Sequence, residues 1–94
     1  MIIPYVILKH TTQAGVHFDL LLDRAGKGAL QTWQSKIDPR LPDAEFRRLP
    51  DHRRIYWTYE GEISDGRGHV ERFAQGICQV LDSTDTTLQI DFQP

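Results

Sequence analysis

The stretch His10-Thr-Thr-Gln-Ala-Gly-Val-His17-Phe-Asp19 decides how the N-terminal part of the chain folds. An apolar run, residues 2–8, precedes it. Residues 11–15 include a glycine and small polar side chains, which are typical of a chain reversal. We therefore expect the chain to turn here and to bring His10 back beside His17.

A strand over residues 16–22 would sort the side chains of this stretch onto two faces. Alternate side chains of a strand point to opposite sides, so His17 and Asp19 would share one face. Val16, Phe18 and Leu20 would then take the other face. Imidazole and carboxylate groups are common ligands of transition metals. The stretch predicts a metal site with three ligands, namely His10, His17 and Asp19.

Length and composition limit the kinds of protein that this chain can be. At 94 residues it is expected to form a single domain, residues 1–94, and by default a monomer. Its one cysteine, Cys78, excludes an internal disulfide and fits a reducing compartment. Neither a membrane-spanning apolar run nor a signal peptide is evident. We expect a cytoplasmic protein without a membrane partner.

The pattern of apolar residues predicts a mostly β fold, a compact antiparallel β-barrel with one or two short helices. Short apolar or alternating segments are separated by turn residues throughout the chain, and the alternation is cleanest in residues 53–61. Leu30 and Trp33 are predicted core residues on either side of a shift in phase. The predicted strands are residues 5–10, 16–22, 29–34, 53–61, 69–74, 77–82 and 87–92.

The connecting segments carry their own predictions. Residues 23–28 are expected to form a hairpin loop, and Gln75 with Gly76 a turn between two strands. Residues 36–51 contain three prolines and are interpreted as a covering loop. Within that loop a short helix over residues 43–49 would begin with Asp43 as its N-cap.

Arginine is concentrated in the middle of a chain whose net charge is only −2. Seven arginines and eight acidic residues lie between positions 36 and 72, so a balanced, solvated surface explains the charge pattern without a ligand. The alternative is bidentate binding of phosphate, for which arginine is better suited than lysine.

The two remaining histidines, His52 and His69, are candidates for further chemistry. Either one can complete a two-histidine, one-carboxylate iron site with His17 and Asp19, or act as an acid, a base or a phosphate ligand. Tyr56 follows His52 by four residues, and on one strand the two side chains would share a face.

Five blocks of the sequence, taken in order, resemble the 3′-phosphoesterase domain of bacterial DNA ligase D, which also occurs as a free-standing protein. The resemblance extends from about residue 5 to about residue 76 and depends on the ordered set. The blocks are Val6-Ile-Leu-Lys-His10, Val16-His-Phe-Asp-Leu-Leu-Leu-Asp23, Leu30-Gln-Thr-Trp33, Asp51-His52-Arg-Arg-Ile-Tyr56-Trp-Thr-Tyr-Glu-Gly61-Glu-Ile63 and Asp65-Gly-Arg-Gly68-His-Val70.

This resemblance implies a β-barrel enzyme that uses a divalent metal, typically manganese, to trim 3′ ends of DNA. It removes a terminal ribonucleoside and then the 3′-phosphate. His10, His17 and Asp19 would be the metal ligands, while His52 would contact the scissile phosphate with Tyr56 beside it. Zinc or another transition metal would suit the same ligands. Candidate contacts to the nucleic-acid backbone are Arg53, Arg54 and Arg67.

Two alternatives remain open. In the first, the protein is a weak or inactive relative that binds DNA ends, or a DNA ligase or polymerase partner, and keeps the metal for stability. Leu21, where the family usually has an arginine, and an 11–16 loop without Lys or Arg favour this alternative. In the second, His17, Asp19 and His69 form the iron site of an oxygenase.

Overall fold

The fold is built around one long hairpin at the N-terminus. In a computed structural model that describes residues 1–94, β1 (Ile2–Thr12) pairs antiparallel with β2 (Gly15–Leu22). Tyr5 lies opposite Leu22 at one end of the ladder, and Thr12 lies opposite Gly15 at the other. The predicted chain reversal is confirmed, and both strands extend beyond their predicted limits.

The remaining strands extend this hairpin on both sides into one antiparallel sheet. Next to β2 lie β3 (Leu30–Ser35) and the edge strand β4 (Arg47–His52). Next to β1 lies β6 (His69–Ser83), which also pairs with β5 (Gly61–Glu62) and with β7 (Leu88–Phe92). The sheet order is β4-β3-β2-β1-β6-β5, and the sheet curls into a half-barrel. The predicted mostly β antiparallel class is confirmed.

Both faces of the central strands are buried, which explains the continuous apolar run Leu20-Leu21-Leu22. One face, here called the core face, holds the larger apolar cluster: Ile3, Tyr5, Ile7, Leu20, Leu22, Trp33 and Cys78. The opposite face, here called the site face, holds Val6, Leu8, Leu21 and Leu30, covered by Tyr56 and Trp57. Leu30 and Trp33 are both in the core, as predicted, but on opposite faces, which regular alternation over an odd spacing produces. The predicted shift in phase is not needed to bury both.

The strand predicted for residues 53–61 is wrong. Residues Arg54–Trp57 form a 3₁₀-helix, and only Gly61–Glu62 is extended. The amide of Tyr56 donates to the carbonyl of Arg53, and the amide of Thr58 to that of Ile55. The segment crosses the site face, where Tyr56 and Trp57 pack while Ile55 stays 57% exposed. Tertiary packing therefore overrides the alternating pattern.

The short helix predicted for residues 43–49 is also wrong, because residues 47–52 form β4 and pair with β3. Leu49 lies opposite Thr32 in this ladder. Pro50 is tolerated because β4 is an edge strand, where a missing amide donor leaves no inner partner unsatisfied. Phe46, which precedes β4, packs against the core face.

The turn predicted at Gln75 and Gly76 is wrong as well. The two strands predicted on either side of it are one continuous strand, β6. A Cβ atom at position 76 would lie 3.1 Å from the Tyr5 hydroxyl, so the glycine lets the Tyr5 ring lie close against the strand.

No helix in the structure has the length and apolar character needed to span a bilayer.

Candidate metal centre

The register of the β1–β2 hairpin places His10 directly opposite His17. The two-residue turn sets this register. The Thr12 hydroxyl accepts a hydrogen bond from the Ala14 amide, and Gly15 takes a φ of +131°, a conformation that favours glycine. Asp19, two residues beyond His17, lies on the same face, opposite Leu8. The three predicted ligands are brought together.

The donor atoms of these three residues converge on one point. His10 Nδ1 lies 2.9 Å from His17 Nε2 and 3.9 Å from Asp19 Oδ2, and His17 Nε2 lies 3.5 Å from Asp19 Oδ1. Metal bonds of about 2.1 Å imply donor separations of about 3.0 to 3.4 Å for right-angle and tetrahedral arrangements. The measured separations bracket this range, so the cluster can hold a metal ion.

A backbone carbonyl orients the His10 ring toward the cluster. His10 Nε2 lies 2.8 Å from the carbonyl oxygen of Arg67. Because a carbonyl only accepts, Nε2 carries the proton and donates, and neutral His10 presents the Nδ1 lone pair to His17 and Asp19. A metal-bound histidine is usually oriented in this way, with its second nitrogen donating to a carbonyl or carboxylate.

Gly68 allows the loop that carries this carbonyl to approach β1. A Cβ atom at position 68 would lie 2.2 Å from the Thr11 carbonyl oxygen, which no side chain tolerates. The residue also has a φ of +99°. Gly68 therefore serves close backbone packing, which places the Arg67 carbonyl against His10.

Asp19 is the buried charge of the cluster. It is 3% exposed, and its Oδ1 atom has no hydrogen-bond partner. A buried carboxylate oxygen without a partner is costly unless a proton or a cation lies beside it. Burial also lowers the pKa of His17 below its ordinary value, against the opposing attraction of Asp19. The neutral imidazole, which binds metal, is favoured at His17.

His52 lies at the same cluster, at the end of β4. Its amide donates to the Thr32 hydroxyl at 3.2 Å, and its Nδ1 donates to the Pro50 carbonyl at 3.2 Å, which turns Nε2 toward Asp19. Nε2 lies 3.8 Å from Asp19 Oδ2, an ion-pair distance that is too long for a hydrogen bond. Interaction with the Asp19 side chain raises the pKa of His52 above its ordinary value, although burial acts in the opposite direction.

Tyr56 lies beside His52, although the two are not on one strand as predicted. His52 ends β4, Tyr56 lies in the 3₁₀-helix, and their ring centroids are 5.6 Å apart in an edge-to-face arrangement. Sequence spacing indicated the right pair for the wrong reason. Thr32 and Pro50, which orient His52, carry no signal in the sequence that would have identified them.

The cluster opens into a cleft of about 340 Å³. The cleft is formed by β1, β2, the end of β4, the 3₁₀-helix and the 64–68 turn. Its lining includes Asp51 and Ile63, which the sequence did not indicate. A larger groove of about 610 Å³, between residues 39–46 and β7, contains no histidine and shares no residue with this cleft. The cleft is lined by Leu8, His10, Asp19, Asp51, His52, Arg53, Tyr56, Ile63, Arg67 and Val70.

The three predicted arginine contacts have different positions. Arg53 lines the cleft, with its guanidinium carbon 5.8 Å from the centre of the Tyr56 ring. Arg67 also lines the cleft, and its side chain donates to the carbonyl and hydroxyl oxygens of Ser64. Arg54 is not part of the lining, because its guanidinium forms a two-point ion pair with Asp23, at 2.7 and 3.0 Å.

His69 does not join the metal cluster. It is exposed, and its Nδ1 lies 3.4 Å from Glu62 Oε1. The iron site that would combine it with His17 and Asp19 therefore has no geometric support.

No protein-family model matches the chain, and no curated protein matches it.

Proposed function

We propose that the protein is a divalent-metal-dependent phosphoesterase that acts on 3′ ends of nucleic acid in the cytoplasm, removing a 3′-phosphate or a terminal 3′-ribonucleotide. The observation that carries this proposal is the convergence of His10, His17 and Asp19 at the wall of a cleft lined by cationic and acid-base groups. Hydrolysis of a phosphate diester or monoester needs positive charge beside the phosphate oxygens and a group that transfers a proton.

Manganese is the metal that the resemblance to the DNA ligase D phosphoesterase domain favours, and zinc would suit the same donors. The proposed ligand atoms are His10 Nδ1, His17 Nε2 and the Asp19 carboxylate. When bound, the ion would supply charge neutralisation at a phosphate oxygen and a more acidic water. Oδ1 of Asp19, which has no protein partner, would gain one.

His52 is suited to move a proton in this reaction. Its Nδ1 proton is held by the Pro50 carbonyl, so Nε2 faces the cleft beside Asp19. An imidazole changes charge near neutral pH, so His52 can neutralise a phosphate oxygen as the imidazolium or protonate the leaving oxygen. The hydroxyl of Tyr56, which lies beside His52, can donate a further hydrogen bond in the cleft.

The arginines divide between binding and support. Arg53 and Arg67 face the cleft and can contact phosphate oxygens of the substrate backbone. Arg54 is committed to Asp23 and to the carbonyl of Gly28. Its role in this proposal is to anchor the 3₁₀-helix that forms the cleft wall.

A second candidate function is the binding of nucleic-acid ends, or of a ligase or polymerase partner, without turnover. Leu21 favours it, since this residue is fully buried among Val6, Leu8 and Leu30 and offers the cleft no charge. The arginine usual at this position in the resembling family would add a phosphate contact. Here Arg53 and Arg67 would have to replace it.

Incubation of the purified protein with manganese and labelled primers tests both candidates. The primers end in a 3′-phosphate, a single 3′-ribonucleotide or a plain 3′-hydroxyl. We expect the first two to be trimmed, with a loss of about 100-fold or more in His10→Ala and His52→Ala. His69→Ala is the matched control, because that exposed histidine lies outside the cleft.

The outcomes separate the two functions. Trimming that is lost in both cleft variants and kept in His69→Ala supports the enzyme. Manganese-dependent binding of the ends without any trimming, across pH and metal concentration, supports the end-binding function instead. Loss of trimming in His69→Ala but not in His52→Ala would contradict the assignment of the cleft as the reaction site.

A further inference from the structure

The cleft continues into a second depression, here called the side groove. Its volume is about 220 Å³, and it shares Arg53, Tyr56 and Ile63 with the cleft. Ile55 and Tyr59 add apolar and aromatic surface to its lining, and Glu62 and Ser64 add polar groups. The side groove is therefore next to the cleft, with the three shared residues at the boundary between them.

The walls of the side groove are suited to a flat, apolar group. The Tyr56 and Tyr59 rings lie 6.0 Å apart at an interplanar angle of 89°, so the two walls are perpendicular aromatic surfaces. Ile55 at the rim is 57% exposed, although it is a large apolar residue. Aromatic side chains with an adjacent arginine are how proteins stack unpaired bases.

The size of the side groove limits what it can accept. Pockets for drug-sized ligands occupy roughly 300 to 1,000 Å³. A groove of about 220 Å³ is below that range and suits a single ring system. Arg53 lines both the cleft and the side groove, and its guanidinium carbon lies 5.8 Å from the centre of the Tyr56 ring.

Taken with the proposed function, on which this step rests, the geometry points to the side groove as the binding site for the base of the 3′-terminal nucleotide. Tyr59 and Ile55 contact the base, and Arg53 bridges base and phosphate. The preferred substrate is then a 3′ end that carries an intact terminal nucleoside. An end that retains only a sugar or a sugar fragment is a poor substrate.

Two primers that differ only in the terminal base test this inference. Both end in a 3′-phosphate. The terminal sugar of one primer carries thymine, and the terminal sugar of the other is abasic, with a hydrogen in place of the base. Loss of one stacked base weakens binding by about 5- to 150-fold. With manganese, we expect the wild type to favour the thymine primer in kcat/KM by such a factor.

Variants connect the preference to the side groove. Tyr59→Ala should lower kcat/KM on the thymine primer and bring the ratio between the two primers toward 1, while Tyr59→Phe should retain the preference. Ile55→Ser should reduce the ratio without removing a buried group. The matched control is Ile77→Ser, because Ile77 is 50% exposed on β6 and outside both depressions. Thermal unfolding of each variant checks that it is folded.

Equal kcat/KM for both primers in the wild type, within a factor of two, would overturn the side groove inference and leave the phosphoesterase proposal standing. A preference that persists in Tyr59→Ala and Ile55→Ser would also overturn it. If neither primer is dephosphorylated by the wild type, the proposed function fails, and the inference that rests on it fails as well.

Discussion

The core face and the site face of the same hairpin strands differ in how their polarity changes along the chain. On the core face, Ile7 and Leu20 lie in one apolar cluster that extends across the sheet. On the site face, the apolar residue Leu8 is followed by His10 and is paired with Asp19. One hairpin therefore contributes to the apolar core on one side and carries the His10, His17 and Asp19 cluster on the other.

This difference separates the residues that stabilise the fold from the residues of the site. The core face buries its residues against the larger cluster, including Trp33, which is fully buried. The site face buries one carboxylate, Asp19, and leaves the rings of His10 and His17 partly exposed. Stability and chemistry can thus be disturbed separately, and each of the following predictions tests that separation.

The largest effect is expected on the core face. Trp33→Ala removes a fully buried ring and should lower the free energy of unfolding by about 3 to 5 kcal/mol. Small domains have only about 5 to 15 kcal/mol in total, so this variant should be close to unfolding. Urea unfolding measures it, with Ile77→Ala, at an exposed site, as the control. Equal effects of the two changes would contradict the description of the core.

A smaller and conditional effect is expected on the site face. At a metal concentration about 100 times the dissociation constant, binding should raise the free energy of unfolding of the wild type by about 2.7 kcal/mol. His17→Ala, which keeps only two donors, should lose most of this gain but stay close to the wild type in chelator. Thermal unfolding with and without manganese measures it.

His69→Ala is the control for this prediction, because His69 lies outside the metal cluster and should leave the metal-dependent gain intact. If His17→Ala were stabilised by manganese as much as the wild type, the ion would bind elsewhere. The three-ligand assignment would then have to be abandoned.

The smallest effect concerns the ion pair that anchors the cover of the site face. Hydrogen bonding from Arg54 holds the pKa of Asp23 below its ordinary value of 3.8. Because the pKa is lowered in the folded protein, the stabilisation is present above pH 3.8 and is lost as the pH falls through the folded pKa. Asp23→Asn should therefore lower Tm at pH 7.

The difference in Tm between Asp23→Asn and the wild type should close as the pH falls below about 3.8. Thermal unfolding at a series of pH values measures it. Asp85→Asn, at an exposed position, is the control and should behave like the wild type at each pH. A difference that stays constant down to low pH would mean that the pair does not stabilise through charge.

The part of the molecule that could be predicted from sequence is the part determined by local chemistry. Gly15 with its small polar neighbours specifies the turn, and period-two alternation then places His17 and Asp19 on one face. Together these features predict the metal cluster, because all three ligands lie on one hairpin. Leu30 and Trp33 were predictable as core residues because they are large apolar residues within a short strand segment.

The remaining parts depend on contacts between segments that are distant in sequence. Residues 53–60 alternate like a strand, but packing of Tyr56 and Trp57 on the site face selects a 3₁₀-helix. Glycine is a common turn residue, but Gly76 lies within a strand, where the absence of a side chain makes room for the Tyr5 ring. The Pro50 carbonyl orients the His52 ring. Every residue has such a carbonyl, so the sequence pattern does not predict this contact.

The turn between β1 and β2 also has a consequence for chain entropy. His10 and Asp19 are nine positions apart in sequence, whereas Leu8 and Val70, which both line the cleft, are separated by most of the chain. The entropy lost on closing a loop grows with the logarithm of its length. The ligand cluster is therefore the part of the cleft whose assembly loses the least loop-closure entropy, although the distant Arg67 carbonyl orients the His10 ring.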